Sequence, residues 1–184
     1  MYKKFNEIRT GVIGAGVMGF HHLRHLNNLS NLVGVSEMDD IRGQQVAKEF
    51  EIEWYKNFED LLGKIDAVVI AVPTIFHKEI VLKCIESDIH ILVEKPLCNS
   101  YNEYLEIITR IKQGYEKVIT VGHIERHNEV YKFAHEKLKS GEWGNLYSLH
   151  SRRMSPTSQR ITDVGVIFDT AIHDIDLMCD LVSN

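Results

Sequence analysis

The sequence predicts an α/β fold, a doubly wound parallel sheet followed by the beginning of an α+β unit, and three observations predict it. Short apolar runs rich in Val and Ile alternate with amphipathic stretches through the first two-thirds of the 184 residues. That alternation is how strands buried on both faces by helices are written. A glycine cluster, Gly14-Ala15-Gly16-Val17-Met18-Gly19, lies directly between the first apolar run and the first amphipathic one. After Gly122 the alternation gives way to a different order of elements.

Taken in order, the strands are expected at Ile8 to Ile13, Asn31 to Ser36, weakly near Trp54-Tyr55, then Asp66 to Val72, Ile89 to Val93 and Lys117 to Val121. Between them, Val17, Phe20, Leu23 and Leu26 recur at helical spacing, and Ile80, Val81, Cys84 and Ile85 form one stripe. Thr74, after Pro73, is a candidate N-cap for the helix carrying that stripe. Ser100 with Glu103 reads as a capping box, opening a helix that carries Leu105, Ile108 and Ile111 and stops at Gly114. Beyond Gly122 the pattern predicts a helix over Val130 to Lys139 ended by Gly141, a strand over Asn145 to Arg153, and a helix from about Val166 onward. The expected division is a dinucleotide-binding domain at 1–121 and an incomplete second domain at 122–184.

Composition narrows the class. Lys and Arg total 21 against 26 Asp and Glu, a net charge of -5, so no basic balance points to nucleic acid. No apolar run approaches the length that crosses a bilayer, and the basic start lacks a following apolar stretch. A cytoplasmic protein with a small-molecule ligand is the expectation. Cys84, Cys98 and Cys179 are widely spaced without CxxC pairs, which argues for reduced thiols over a disulfide framework or structural zinc.

In a strand–turn–helix setting, Gly14 to Gly19 fits the GxGxxG pattern of a Rossmann domain. Its first glycine makes the tight turn, the second lets backbone approach a pyrophosphate, and the third lets helix and strand pack. Glu37, at the end of the second strand, stands where a carboxylate accepts from ribose hydroxyls, about 20 residues beyond the glycines. A 2'-phosphate would meet like charge there and at Asp39 and Asp40, which favours NAD; Arg42 keeps NADP open.

Glu94-Lys95-Pro96 falls at the C-terminal end of the fifth strand, the edge where open α/β sheets bind ligands. Pro96 restricts the backbone of Lys95, and the Lys95-Pro96 bond can be cis or trans. A lysine enclosed in such a site can take a proton from a hydroxyl, though alone the tripeptide reads equally as a solvated turn. Asp169 and His173 are four residues apart and share a face if that stretch is helical, a common acid–base arrangement, though alone the pair reads more readily as a solvated stripe opposite Ile167, Ala171, Ile175 and Met178. Asp169, His173 and Asp176 lack a distinctive metal-ligand spacing, so no metal is expected. The run His21, His22, His25 likewise reads as surface or packing histidines.

With these motifs in this order, the chain resembles the glucose-fructose oxidoreductase / inositol dehydrogenase / rhizopine catabolism family of NAD(P)-dependent oxidoreductases, over essentially its whole length. The resemblance implies that Lys95 and His173 handle the proton while hydride moves to the cofactor, without saying which is the base. It also implies that Asp169 positions substrate hydroxyls. Pro73, Thr74 and His77 resemble the segment that contacts cofactor ribose or nicotinamide. The stretches around Arg126, from Arg152 to Pro156, and from Asp163 to Val166 are similar to members that oxidise the 3-hydroxyl of UDP-N-acetylglucosamine-type sugars. Arg126, Arg152 or Arg153 would then meet a diphosphate bidentately. Family members continue beyond this chain's end into an antiparallel sheet, so truncation and a homo-oligomeric full-length form are expected. Two alternatives share these residues: an NAD-dependent redox glycosidase or eliminase, and a dinucleotide-binding module without catalysis.

Overall fold

A computed structural model describes residues 5–154 and 165–183. By internal contacts the chain divides into two compact units, Met1–Val121 and Gly122–Asn184.

The first unit opens with a 3-10 turn, Phe5–Glu7, then β1 (Arg9–Ile13), α1 (Val17–Leu29), β2 (Asn31–Ser36) and α2 (Asp40–Phe50). It continues with β3 (Glu53–Tyr55), the short α3 (Glu59–Leu62), β4 (Ala67–Ile70), a 3-10 turn at Thr74–Phe76, and α4 (His77–Glu86). β5 (His90–Val93), α5 (Tyr101–Lys112) and β6 (Ile119–Val121) complete it. All six strands run parallel in the order β3-β2-β1-β4-β5-β6. The order reverses direction between β1 and β4, and a doubly wound sheet binds ligands outside the strand C-termini at such a switch point.

Alternation along each strand builds two cores. Val12, Val35 and Val69 face α1 and α2, packing with Leu23, Val46 and Ala47. Their neighbours Ile13, Val68 and Ile70 face the other way, onto Ile80, Val81, Cys84, Ile85 and Ile107. The stripe expected on α4 is therefore buried throughout. Burial pushes the Cys84 thiol up to about 12, and Cys84 and Cys98 are both free and buried.

α5 carries Leu105, Ile108 and Ile111 as expected; its fully buried residue is Ile107, Ile111 packs against the same core, and Leu105 is 42% exposed. Two local expectations are corrected. The capping box forms with its return bond shifted: Ser100 Oγ accepts from the Glu103 N–H, but the Glu103 carboxylate accepts from Asn99. Thr74 does not cap α4. It lies buried inside the 3-10 turn, and α4 begins from Phe76 without a side-chain cap.

The second unit holds a 3-10 turn at Ile124–His127, α6 (Glu129–Lys139) capped by Asn128, a π-helical turn at Ile167–Ala171, and α7 (Ile172–Val182). The strand expected over Asn145 to Arg153 is absent. Residues 145–154 are exposed, and among the described residues no strand lies beside them to supply the hydrogen bonds that define one. None of the described residues of this unit is fully buried, and ion pairs link its elements. Among the described residues no helix is long and apolar enough to cross a membrane.

Candidate functional site

At the end of β1 the chain turns through the glycine cluster into α1. Gly14 adopts φ +94°, and a Cβ there would stand 2.5 Å from the Ala71 carbonyl oxygen, so β4 approaches too closely for any side chain. A Cβ on Gly19 would fall 1.8 Å from the Gly14 oxygen, which ties helix to turn. Gly16 is different: a Cβ there meets nothing within 4 Å. Gly16 is also the N-cap residue of α1 and supplies no side-chain hydrogen bond. Helix N–H groups are thus left without a side-chain acceptor beside open space, which suits an anionic pyrophosphate. Val17 and Met18 are exposed next to it, and Ala15 is buried beneath.

Glu37 leaves the end of β2 and turns back onto that cradle. Its Oε2 accepts the Ala15 N–H at 2.8 Å, and its Oε1 accepts the Asp39 N–H at 3.0 Å. Arg42 lies against both oxygens, with Nε 3.2 Å from Oε2 and Nη2 3.3 Å from Oε1. Burial raises the Glu37 carboxyl, but the two N–H donors and Arg42 outweigh it and hold the group below its usual range. Asp39 caps α2 by accepting the Arg42 N–H. The cradle and the acid expected to bind ribose are thus joined directly.

The ends of β4 and β5 lie on the same sheet edge. Pro73 is exposed and precedes the buried Thr74. His77 is 1% exposed and turns inward, its Nδ1 2.8 Å from the Pro96 carbonyl and its Nε2 2.9 Å from that of Val72. It therefore bridges the segments after β4 and β5 through backbone. The Lys95-Pro96 bond is cis. Glu94 is buried, its Oε1 2.7 Å from His22 Nε2 and its Oε2 accepting the Lys95 N–H at 3.3 Å. His21 and His25 are exposed, but His22 is not a surface histidine. Its one available signal was place: it follows Gly19 by three residues, on the helix that starts at this edge.

In the second unit Asp169 sits in the π-helical turn and accepts from Thr170 Oγ1, while His173 lies in the first turn of α7. The expected catalytic set is therefore divided, with Lys95 in the first unit and Asp169 and His173 in the second. Of the arginines expected to meet a diphosphate, Arg152 is exposed, and Arg126 and Arg153 are paired with carboxylates. Arg126 donates to both oxygens of Asp176 at 2.7 Å and to Asp180 at 3.0 Å. Arg153 binds Asp174 at 2.9 Å and Glu125 at 3.2 Å. Four carboxylates on α7 and the turn before α6 thus pair with the two guanidiniums. Pro156 and Asp163 lie outside the described residues. Among the described residues no group of three or more His, Cys, Asp or Glu is placed to hold a metal ion.

The family model described as "Oxidoreductase family, NAD-binding Rossmann fold" matches residues 8–123. UDP-N-acetylglucosamine 3-dehydrogenase of Acidithiobacillus ferrooxidans is 31% identical over 171 residues, 93% of this chain and 53% of that protein. Inositol 2-dehydrogenase of Corynebacterium glutamicum is 31% identical over 180 residues, 94% and 53%. The solved A. ferrooxidans enzyme superposes with a TM-score of 0.87 at 30% identity, covering 96% of this chain and 57% of that one. Myo-inositol dehydrogenase of Lactobacillus casei, solved with NAD(H) and myo-inositol, gives 0.81 at 28% identity, covering 96% and 55%. The chain spans about half the length of the curated relatives it matches.

Proposed function

Since the chain belongs to the oxidoreductase family with an NAD-binding Rossmann fold, we propose that it serves a dehydrogenase oxidising a secondary hydroxyl of a sugar-like alcohol, with NAD as its cofactor. The observation that carries this reading is the shared edge on which the open Gly16 cradle, Glu37 and the Glu94-Lys95-Pro96 turn converge. In this reading residues 1–121 bind the dinucleotide and 122–184 contribute to the substrate domain.

The residues present fit a dinucleotide. Gly14 to Gly19 and the start of α1 would hold the pyrophosphate, and Glu37 the adenine ribose. NAD is favoured over NADP because Glu37 meets a 2'-phosphate with like charge and Arg42 is paired with Glu37 and Asp39. A bound nicotinamide would supply the acceptor for the hydride of the carbinol carbon. Lys95 or His173 takes the hydroxyl proton, Asp169 orients neighbouring hydroxyls, and the product is a ketone. Pro73 and Thr74 line the edge beside the cofactor, while His77 shapes it from within. A nucleotide sugar of the UDP-N-acetylglucosamine type is the favoured substrate, on the likeness to the A. ferrooxidans enzyme. Arg126 and Arg153 do not add to that preference, because carboxylates already hold them. A homo-oligomer of the full-length protein belongs to the same reading.

NADH formation with UDP-N-acetylglucosamine, myo-inositol and scyllo-inositol tests it. Lys95→Ala is expected to abolish turnover while NAD affinity stays within about threefold. Turnover by Lys95→Ala at the wild-type rate would remove the lysine from the mechanism.

A further inference from the structure

The bond between His22 and Glu94 joins parts of the sheet edge that are 72 residues apart. His22 lies on α1 just beyond Gly19, on the helix whose N-terminus forms the cradle. Glu94 opens the turn that carries Lys95. One carboxylate oxygen is 2.7 Å from His22 Nε2, and the other accepts the backbone N–H of Lys95 at 3.3 Å. The two side chains are only 21% and 11% exposed. A carboxylate so far from water is costly unless it is paired and hydrogen-bonded. The other end of the turn is pinned separately, by His77 on the Pro96 carbonyl. The Glu94 carboxylate is therefore a link through which α1 reaches the backbone of Lys95.

We propose that His22 is a positioning residue that anchors Glu94, and through it Lys95, to the helix carrying the glycine cradle. The inference rests on the reading that Lys95 handles the proton. Its physical content is a fixed distance between the place where pyrophosphate is gripped and the place where the hydroxyl loses its proton. A misplacement of a reacting group by an ångström is enough to lower a rate severely without weakening binding. The electrostatics agree with the geometry. Burial raises the Glu94 carboxyl, and the His22 bond and charge, with the N–H and charge of Lys95, more than offset it, leaving the group below its usual range. Without His22 the carboxyl takes up its proton at a higher pH, and at neutral pH, where it is still ionised, it has lost the partner that fixes its place beside the turn. A side chain that merely filled space would leave that titration where it was.

The experiment follows the Glu94 carboxyl by 13C NMR in the glutamate-labelled 184-residue chain, with Glu94→Gln to assign the signal. In His22→Ala the titration midpoint is expected to rise by about half a pH unit or more. His22→Gln, whose amide can donate where Nε2 does, is expected to return most of the way. NAD affinity is expected within about threefold of wild type in both, and kcat with UDP-N-acetylglucosamine or myo-inositol about tenfold lower in His22→Ala with KM little changed. If the wild-type chain turns over neither probe, the titration decides by itself. A wild-type titration in His22→Ala overturns the proposal. Lys95→Ala, run alongside, separates the two failures. If it is inactive while His22→Ala matches wild type, the positioning role falls and the lysine stands; if it turns over normally, the lysine's role falls whatever His22 does.

Discussion

Glu37 does two things with one carboxylate. It braces the glycine turn through the Ala15 N–H and presents negative charge where a ribose would lie. Replacing it with Ala removes both effects, so NAD affinity is expected to fall about tenfold or more. NADP affinity falls less, because the like charge is gone, and the ratio of the two dissociation constants, measured by calorimetry, narrows. Acid stability tests the same group from another side. Glu37 and Glu94 are both held below their ordinary value of 4.5 in the folded chain. Their stabilisation is therefore fully present above that value and is lost as pH falls through the folded-state values. A Glu37→Gln, Glu94→Gln double variant is expected to show a flatter loss of urea stability below about pH 4.5 than wild type. An equal slope would mean that neither carboxylate is stabilised by folding. Glu37 was legible in sequence because its meaning depends on local spacing: glycines, a strand, then an acid. His22 was not, because a histidine on a helix reads the same whether it faces water or a carboxylate 72 residues away.

At the scale of elements, β2 has the predicted bounds, Asn31 to Ser36, since a buried parallel strand is a bounded apolar run. β4 and β5 are shorter than their apolar runs: Ala71 and Val72 belong to the turn that carries Pro73, and Ile89 stands before β5. On α5, Leu105, Ile108 and Ile111 recur every three residues, but a helix repeats every 3.6, so not all three can share the face that buries Ile107. Ile107 is 0% exposed and Leu105 42%. Ile107→Ala is therefore expected to cost about 2–5 kcal/mol in urea unfolding, and Leu105→Ala less than about 1. Equal losses would place Leu105 on the buried face with Ile107. The segment 145–154 failed for a different reason, since alternation specifies only half of a strand and a neighbour supplies the rest.

Across the whole molecule, the first unit is organised by its sheet and the second by charge. In the first, two apolar cores on opposite faces hold six parallel strands in an order that reverses between β1 and β4. The glycine turn leaves β1 at that switch, and Glu37, Thr74 and Glu94 follow the ends of β2, β4 and β5 on the same edge. In the second unit, Arg126 and Arg153 tie α7 to the turn before α6 through Asp174, Asp176, Asp180 and Glu125. That pairing was hidden in sequence, where an arginine beside a phosphate and one beside an aspartate look alike. The claim on which everything else depends is that a nicotinamide dinucleotide lies over Gly16, and one substitution separates binding from folding there. Gly16 has negative φ, and a Cβ on it meets nothing within 4 Å. Gly16→Val should therefore leave the melting temperature unchanged while its side chain occupies the path of the pyrophosphate. Calorimetric titration of NAD into wild type and Gly16→Val is the direct measurement: the account predicts binding by wild type and a loss of about tenfold or more in the variant. Equal affinity in the two proteins, or no binding of either NAD or NADP to wild type, would contradict it.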